Sequence, residues 1–433
     1  MPLLTARISE NVAPSRLGRS FRWLLASSVT SNFGDGIALA AGPLLIASLT
    51  RDPLLVSLAV LAQQLPRLLF GLPAGVIADR FDRRSIVAGV DLARAVVLAV
   101  LTATIVSGAV SIAIVLLALF ILGTAEIFAD VSSSSLVPWV VPRVDLGIAN
   151  ARLTGSFLLS NELVGPPIGA FLFTVGMALP FAANAACFAL GAVLVTRVAT
   201  DVADLAAERA VARRSLRTEM AEGIRWLIAH PPMRTLALTI VAFNVTYGAA
   251  WSVLVLYASE RLGMSAVGFG LIATAIAIGG IVGTSAYGRL ERRFSLADIM
   301  RGGLVIETFT HLVLALTTSP AVALLTMVVF GAHAFVWGTT STVVRQRAVP
   351  DELLGRVTGV YTVGLIGGIV IGTPIGGLLA REFGITAPFW FGFIGSAILV
   401  VLLWRQFDNI FHASEPPAGP AGSHVLDRFA PRS

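Results

Sequence analysis

The sequence predicts an all-α integral membrane protein of twelve transmembrane helices arranged as two pseudo-symmetric six-helix bundles. Three observations carry that expectation. Hydrophobic residues make up 56% of the 433 residues and charged residues 13%, with a mean hydropathy of +0.85, well outside the composition of a soluble domain. Apolar runs approaching or exceeding the roughly 20 residues that a helix needs to cross a bilayer recur along the whole chain. Landmarks in the first half return at a near-constant spacing in the second.

The apolar runs place helices at 21–49, 54–78, 85–107, 111–138, 151–175 and 178–198, and then at 233–259, 265–288, 296–317, 320–345, 353–380 and 385–407. They are too continuous for barrel strands, which alternate over about ten residues. The opening "MPLLTARISENVAPSRLGRSFRWLL" is basic and then apolar. No small-residue cleavage site follows it, so the first helix is expected to be retained. The domain plan is therefore a tail over 1–20, a bundle over 21–198, a linker over 199–232, a second bundle over 233–407 and a disordered tail over 408–433. Within the linker, Leu216, Met220, Ile224 and Leu227 have helical spacing, which suits an amphipathic helix lying on the membrane face.

Arginines concentrate in the N-terminal tail, after the second helix, in the linker and in "GRLERRF" after the eighth. The alternate turns hold "RDP", "ERLG", "REFG" or no charge at all. The positive-inside rule then puts both termini in the cytoplasm and the chain in the cytoplasmic membrane.

A net charge of +6 is explained by these loops and by anionic lipid, so nucleic acid is not an expected partner. All 31 basic residues are arginine. Without lysine there is no Walker A loop and no Schiff base. The single Cys187 excludes an intramolecular disulfide, and no Cys and His spacing resembles a zinc site. Neither G-x-S-x-G nor H-E-x-x-H occurs, so no enzyme, metal or cofactor is expected.

Duplication shows in "VPRVDLGIANARL" from Val141 and "VPDELLGRVTGVY" from Val349, each leading into a long helix that reaches "GPPIGAFL" or "GTPIGGLL". Arg22 and Asn32 recur as Arg234 and Asn244, and "ADRFDRR" has a weaker echo in "YGRLERR". Parallel repeats of this size place one site at mid-membrane between the halves.

"GVIADRFDRR" resembles the G-x-x-x-D-R-x-G-R-R signature between helices 2 and 3 of the major facilitator superfamily. Gly75, Asp79, Arg80, Arg83 and Arg84 fit it, and Asp82 stands where the signature has glycine. With "LPRLLFGLPAG", "SNFGDG" and "VPRVDLGIAN", the chain resembles the branch of macrolide, tetracycline and aminoglycoside efflux proteins and the enterobactin exporter. "GPPIGA", with Gly165, Pro166 and Gly169, resembles the G-P-x-x-G-G signature of drug antiporters, with Asn161 and Ala170 departing from it. The counterpart "GTPIGG" also suits close helix packing. The family's usual arginine in helix 4 is missing.

The resemblance implies a major facilitator fold and a proton-coupled exporter of small amphiphilic molecules that works as a monomer in membrane lipid. A siderophore or other biosynthetic product is the alternative cargo, and a transport-inactive receptor or scaffold the alternative class. Asp79 is expected to act as a latch, its carboxylate accepting from helix N-terminal amides across the cytoplasmic seam while its arginine neighbours pair with acids there.

Ionisable residues inside the membrane are costly and mark function by default. Asp35 lies near the middle of the first helix, Glu126 and Asp130 are one turn apart on the fourth, and Glu162 is mid-fifth. These four are the proton-coupling candidates. Asp35 as a partner of Asn32 and Glu126 as a partner of Arg67 or Arg94 remain open structural readings, and Asp91 with Arg94 reads as a packing pair. The cavity candidates are Asn32, Arg67, Asn244, Tyr247, Trp251, His333 and Trp337. The resemblance makes helices 1, 4, 7 and 10 the cavity walls, so carboxylates of the first half would handle protons and cations while aromatics and amides of the second hold a ring-bearing ligand. Glu307 and His311 are expected to face protein.

Overall fold

The computed structural model describes residues 15–199 and 216–408, with the backbone alone at 15, 72, 75–80, 216 and 217. The first 14 residues, 200–215 and the tail from 409 lie outside the described residues, and with them most of both expected tails and the first part of the linker.

Six helices come first: α1 (Gly18–Leu49), α2 (Pro53–Arg80), α3 (Arg83–Val106), α4 (Ile112–Val140), α5, and α6 (Leu179–Val195). α5 has three parts, Leu146–Phe157, a wide π turn at Leu158–Val164, and Gly165–Val175. A connecting helix, Leu216–Ala229, leads to α7, which runs over Pro231–Trp251 and, after a 43° bend, over Leu254–Arg261. The chain then forms α8 (Ala266–Arg293), α9 (Leu296–Leu316), α10 (Pro320–Ala348), α11 (Asp351–Phe383) and α12 (Ala387–Leu403). No strand occurs among the described residues.

Nine of these helices are long and apolar enough to cross a membrane, and bent α7 is a tenth. α6 and α12 are apolar helices of 17 residues each, at the short limit for a span. Polar caps set several helix starts, for each supplies an acceptor to an amide with no partner within the helix. Asp82 is one of them: its side chain accepts from the Ser85 N–H at 3.0 Å and begins α3. Ser265 and Ser295 do the same for α8 and α9.

Packing repeats between the halves. α1 lies on α5 and α6, α2 on α4, and α3 on α4 and α6; α7 lies on α11 and α12, α8 on α10, and α9 on α10 and α12. Glycines permit the closest crossings. A Cβ on Gly169 would overlap the Ile37 carbonyl of α1, and one on Gly376 would overlap the Ala249 carbonyl of α7. Where both solvent and interior are apolar, such small-residue seams let helices approach.

Each half has its own apolar core, with Leu45, Leu98, Leu101, Phe181 and Phe188 in the first, and Met233, Met300, Leu304, Trp337 and Tyr361 in the second. Leu92, Val96 and Val100 form an exposed stripe on one face of α3, and Leu325, Ile394 and Val401 are likewise exposed. In water this pattern would be a liability; in lipid it is the expected outer surface.

The halves meet through α2 with α11 and through α5 with α8. Thr274 Oγ1 donates to the Leu163 carbonyl at 3.0 Å. Arg51 lies 3.6 Å from Glu260, and Arg381 lies 3.7 Å from Asp52. These contacts lie toward the end remote from the connecting helix, which itself docks on α11 through an ion pair of Arg356 with Glu222 at 2.6 Å.

Candidate functional site

In the first half, α1, α3 and α4 bring carboxylates and guanidiniums together inside an apolar bundle. Arg94 on α3 is 3% exposed. It forms an ion pair with Asp35 of α1, lies 3.6 Å from Asp91, and stacks with its Cζ 3.8 Å over the Phe188 ring. Ser31 Oγ donates to the other Asp91 oxygen at 2.9 Å. Arg67 of α2 pairs with Glu126 of α4. Asp130, one turn beyond Glu126, is exposed and makes no hydrogen bond or ion pair.

These groups line two connected spaces. One, of about 300 Å³, is bounded by Asn32, Asp35, Arg67, Arg94, Glu126, Asp130 and Glu162, with Gln63 and Gln64 of α2. The other, about 390 Å³, runs from Asp35 and Arg94 past Ser28, Asp130, Ser134 and Asn150. A third cavity of about 320 Å³ lies between the halves, bounded by Leu39, Gln63 and Glu162 on one side and by Tyr247, Trp251 and Phe269 on the other. Glu162, Gln63 and Gln64 belong to both the polar space and this interdomain cavity.

The backbone of α5 explains how Glu162 reaches that junction. From Val141 to Gly165 the chain advances one residue more than from Val349 to Gly372, although the repeat aligns both pairs. The π turn at Leu158–Val164 absorbs the extra residue, and such turns concentrate at functional sites. Gly36 accommodates the widened turn, since a Cβ there would stand 2.6 and 2.7 Å from the Asn161 and Ser160 carbonyl oxygens. Asn161 Nδ2 donates to the Asn32 carbonyl at 3.4 Å, and Asn32 Nδ2 to Ser28 Oγ at 3.0 Å. Glu162 itself makes no hydrogen bond or ion pair.

Across the cavity, Tyr247 and Trp251 stack with ring centroids 4.5 Å apart, and Phe330 packs behind both at 5.9 and 4.7 Å. Three expected cavity residues of this half stand elsewhere. Asn244 is buried against Gly368 of α11 and donates to the Ile240 carbonyl at 2.7 Å, because the α7 face turns into the α11 seam one helical turn from Tyr247. His333 and Trp337 are 5% and 4% exposed. They lie behind the aromatic wall, where α10 packs on α9, and His333 Nε2 meets Glu307 at 2.8 Å. Glu307 and His311 are fully buried, as expected.

The backbone of Gly75, Asp79 and Arg80 is helical, while the side chains expected to form the latch at Asp79 and Arg80 lie outside the described residues. Arg84 donates to the Val198 carbonyl at 3.1 Å, and Arg83 stands 5.5 Å from the Trp139 ring centroid, so both engage their own half. Gly165, Pro166 and Gly169 are buried where α5 meets α1 and α8.

One signal was available in the sequence for two residues it did not single out. Gln63 and Gln64 are adjacent amides inside an apolar run, and both reach the cavity. Among the described residues no group of three or more His, Cys, Asp or Glu is arranged to hold a metal ion.

Comparison with known proteins agrees with this fold. The family model of transmembrane secretion effectors, within the major facilitator superfamily, matches residues 9–413. The multidrug efflux pump Tap of Mycolicibacterium fortuitum is 28% identical over 386 residues, covering 84% of this chain and 90% of that protein. The enterobactin exporter EntS of Citrobacter koseri is 24% identical over 416 residues, covering 93% and 95%. In fold, the nucleoside transporter NupG (D323A mutant) superposes with a TM-score of 0.72 at 14% identity, covering 91% of this chain and all of that one.

Proposed function

We propose that the chain, which belongs to the transmembrane secretion effector family of the major facilitator superfamily, is a proton-coupled exporter of small amphiphilic or drug-like molecules. One observation carries the reading. Four carboxylates, Asp35, Asp91, Glu126 and Glu162, share the first half's interior with two guanidiniums, Arg67 and Arg94, and exposed Asp130 lies at its edge. Fully ionised, that interior would carry two uncompensated negative charges, which withdrawal from water penalises. Protons or a cationic ligand supply the balance.

The multidrug and siderophore-exporter names of the relatives support outward transport. The aromatic wall of Tyr247 and Trp251 facing Glu162 favours a cationic, ring-bearing cargo, through stacking and cation–π attraction. The similarity to an enterobactin exporter makes a biosynthetic product the second cargo class.

With the arginine-rich end and both termini in the cytoplasm of the inner membrane, the seam between α2 and α11 closes the outer side. Cargo then enters from the cytoplasm or inner leaflet. Rocking of the bundle over 21–198 against that over 233–407 exposes it outside, where a proton neutralises Asp35 or Glu126, frees its arginine partner and displaces the cargo; when the bundles rock back, the same acid releases the proton to the cytoplasm. In the opposite state Asp79, with Arg80, Arg83 and Arg84, latches the cytoplasmic end, and it contributes only its differential energy between the two states. Exchange of one proton for an uncharged cargo moves one charge, which through 100 mV supplies about 2.3 kcal/mol, or roughly a fifty-fold concentration ratio; exchange for a monovalent cation is electroneutral and is driven by the pH gradient alone.

The test is uptake of lipophilic cationic dyes, macrolides and siderophores into inside-out vesicles under an imposed pH gradient. Gradient-dependent accumulation of any of them, absent from vesicles without the protein, is the expected result. Accumulation that ignores the gradient would exclude proton coupling.

A further inference from the structure

Glu307, His311 and His333 are the ionisable cluster that the mechanism above leaves unused. Glu307 and His311 are one turn apart on α9 and fully buried, and His333 comes from α10. Both imidazole Nε2 atoms converge on one carboxylate, His333 at 2.8 Å from Oε2 and His311 at 3.0 Å from Oε1. Only the first contact has hydrogen-bond alignment. His311 Nδ1 and Nε2, His333 Nδ1 and Glu307 Oε1 are buried without a hydrogen-bond partner. Four orphaned polar atoms in an apolar interior are costly, and a proton relieves part of that cost.

Charge counting fixes how many protons fit. With both imidazoles neutral, the cluster is a buried anion. One proton makes it imidazolium, carboxylate and imidazole, with no net charge; a second would leave a buried cation. Neighbouring helices offer little else to balance it. α12 presents Gly392 to His311 and has no ionisable side chain, and α8 is charged only over 289–293, in its last turns. α10 adds Phe330 beside His333, with Arg345 and Arg347 three helical turns farther along. α7 carries Arg234 near its start, Tyr247, which lies within electrostatic range of both Glu307 and Glu162, and Tyr257, Glu260 and Arg261 in its second part, while α9 itself has Asp298 and Arg301 in its first turns.

The cluster also touches the cavity wall from behind. The Trp251 ring meets His311 edge-on at 6.1 Å, and Phe330 meets His333 at 5.5 Å. Trp251 and Tyr247 are cavity-lining residues, so one layer of side chains separates the imidazoles from that space.

We propose that Glu307, His311 and His333 form a second proton-binding site, in the C-terminal half, which takes one proton from the interdomain cavity and sets the position of the Trp251 and Phe330 wall. The site goes beyond the acids of the first half and does not depend on the cargo. Because its test needs no substrate, it stands or falls separately from the exporter reading.

Trp251 reports on the site, since an imidazolium at the ring edge quenches indole emission. The experiment titrates the full chain in lipid nanodiscs between about pH 5 and pH 8, where histidines change charge, and takes the Trp251 signal as wild type minus Trp251→Phe. The expected result is a one-proton decrease in emission on acidification. Glu307→Gln removes the carboxylate that holds the proton, so its midpoint should fall by about one pH unit or more. The curve should be lost in the double variant His311→Gln/His333→Gln, and weakened in each single variant should the double fail to fold. A flat wild-type signal overturns the proposal without recourse to any variant. So does a titration that survives unchanged in the histidine variants.

Discussion

Gly377 on α11 packs so tightly on Ser57 of α2 that a Cβ on the glycine would overlap the serine Oγ and stand 2.7 Å from its Cβ. This contact joins the two halves at the end remote from the connecting helix. Gly377→Val should therefore wedge that seam open. Overpacking of this kind costs about 1–3 kcal/mol, and borne by one state alone it shifts the two-state balance roughly 5- to 150-fold. Labelling of Leu54→Cys by an impermeant thiol reagent, in a Cys187→Ser background, should rise accordingly. Arg381→Ala is the contrast: its 3.7 Å pair with Asp52 is half-exposed, so its loss should matter by less than about 1 kcal/mol.

Arg94 serves two acids at once, and removing it strands both. Arg94→Met should lower stability by about 3–5 kcal/mol, the usual result of unpairing a buried charge. The loss should be partly recovered in the triple variant that adds Asp35→Asn and Asp91→Asn. Heating in detergent followed by size-exclusion chromatography reads both. Equal stability of the single and triple variants would mean that the pairing is not what Arg94 provides.

Glu162 faces the aromatic wall without a partner, so its charge is available to a ligand. Glu162→Gln should weaken binding of a lipophilic cation about tenfold and leave an uncharged analogue within roughly twofold. Fluorescence polarisation of matched dyes measures the difference. Equal losses for both would reduce Glu162 to a shape-determining residue.

Trp251 and Trp337 should separate binding from stability. Trp251 lines the cavity, whereas Trp337 is 4% exposed among Met300, Leu304 and Tyr361. Trp337→Ala should cost about 3–5 kcal/mol of stability, seen as an earlier loss of the monodisperse peak on heating. Trp251→Ala should keep most of the stability and lose dye affinity.

Much of this architecture is legible in the residues. Apolar length located each helix within a few residues, and the Val141 and Val349 landmarks announced the repeated packing that α1 with α5 and α7 with α11 display. Asp35, Glu126, Asp130 and Glu162 stood out because a carboxylate inside an apolar run is rare. Their partners did not, because Arg94 meets Asp35 across two helices and sequence spacing carries no interhelical register. Asn244 shares a helical face with Tyr247 in the sequence, yet α7 turns that face from cavity to seam over one turn. The π turn in α5 is visible as one extra residue only once the glycines of both halves are superposed. Asp82, a departure from the family signature, is a helix cap, which local chemistry explains without reference to the signature.

In the proposed cycle an acid of the first half couples cargo to protons, and Asp35→Asn removes the foremost candidate. The measurement compares uphill uptake of a transported dye under a pH gradient with dye-for-dye exchange at equal pH, in the same proteoliposomes, with Glu126→Gln in parallel. At least one of the two variants should lose uphill uptake while keeping exchange, because the site still binds and alternates but no longer carries the proton. Undiminished gradient-driven uptake in both variants would contradict that coupling.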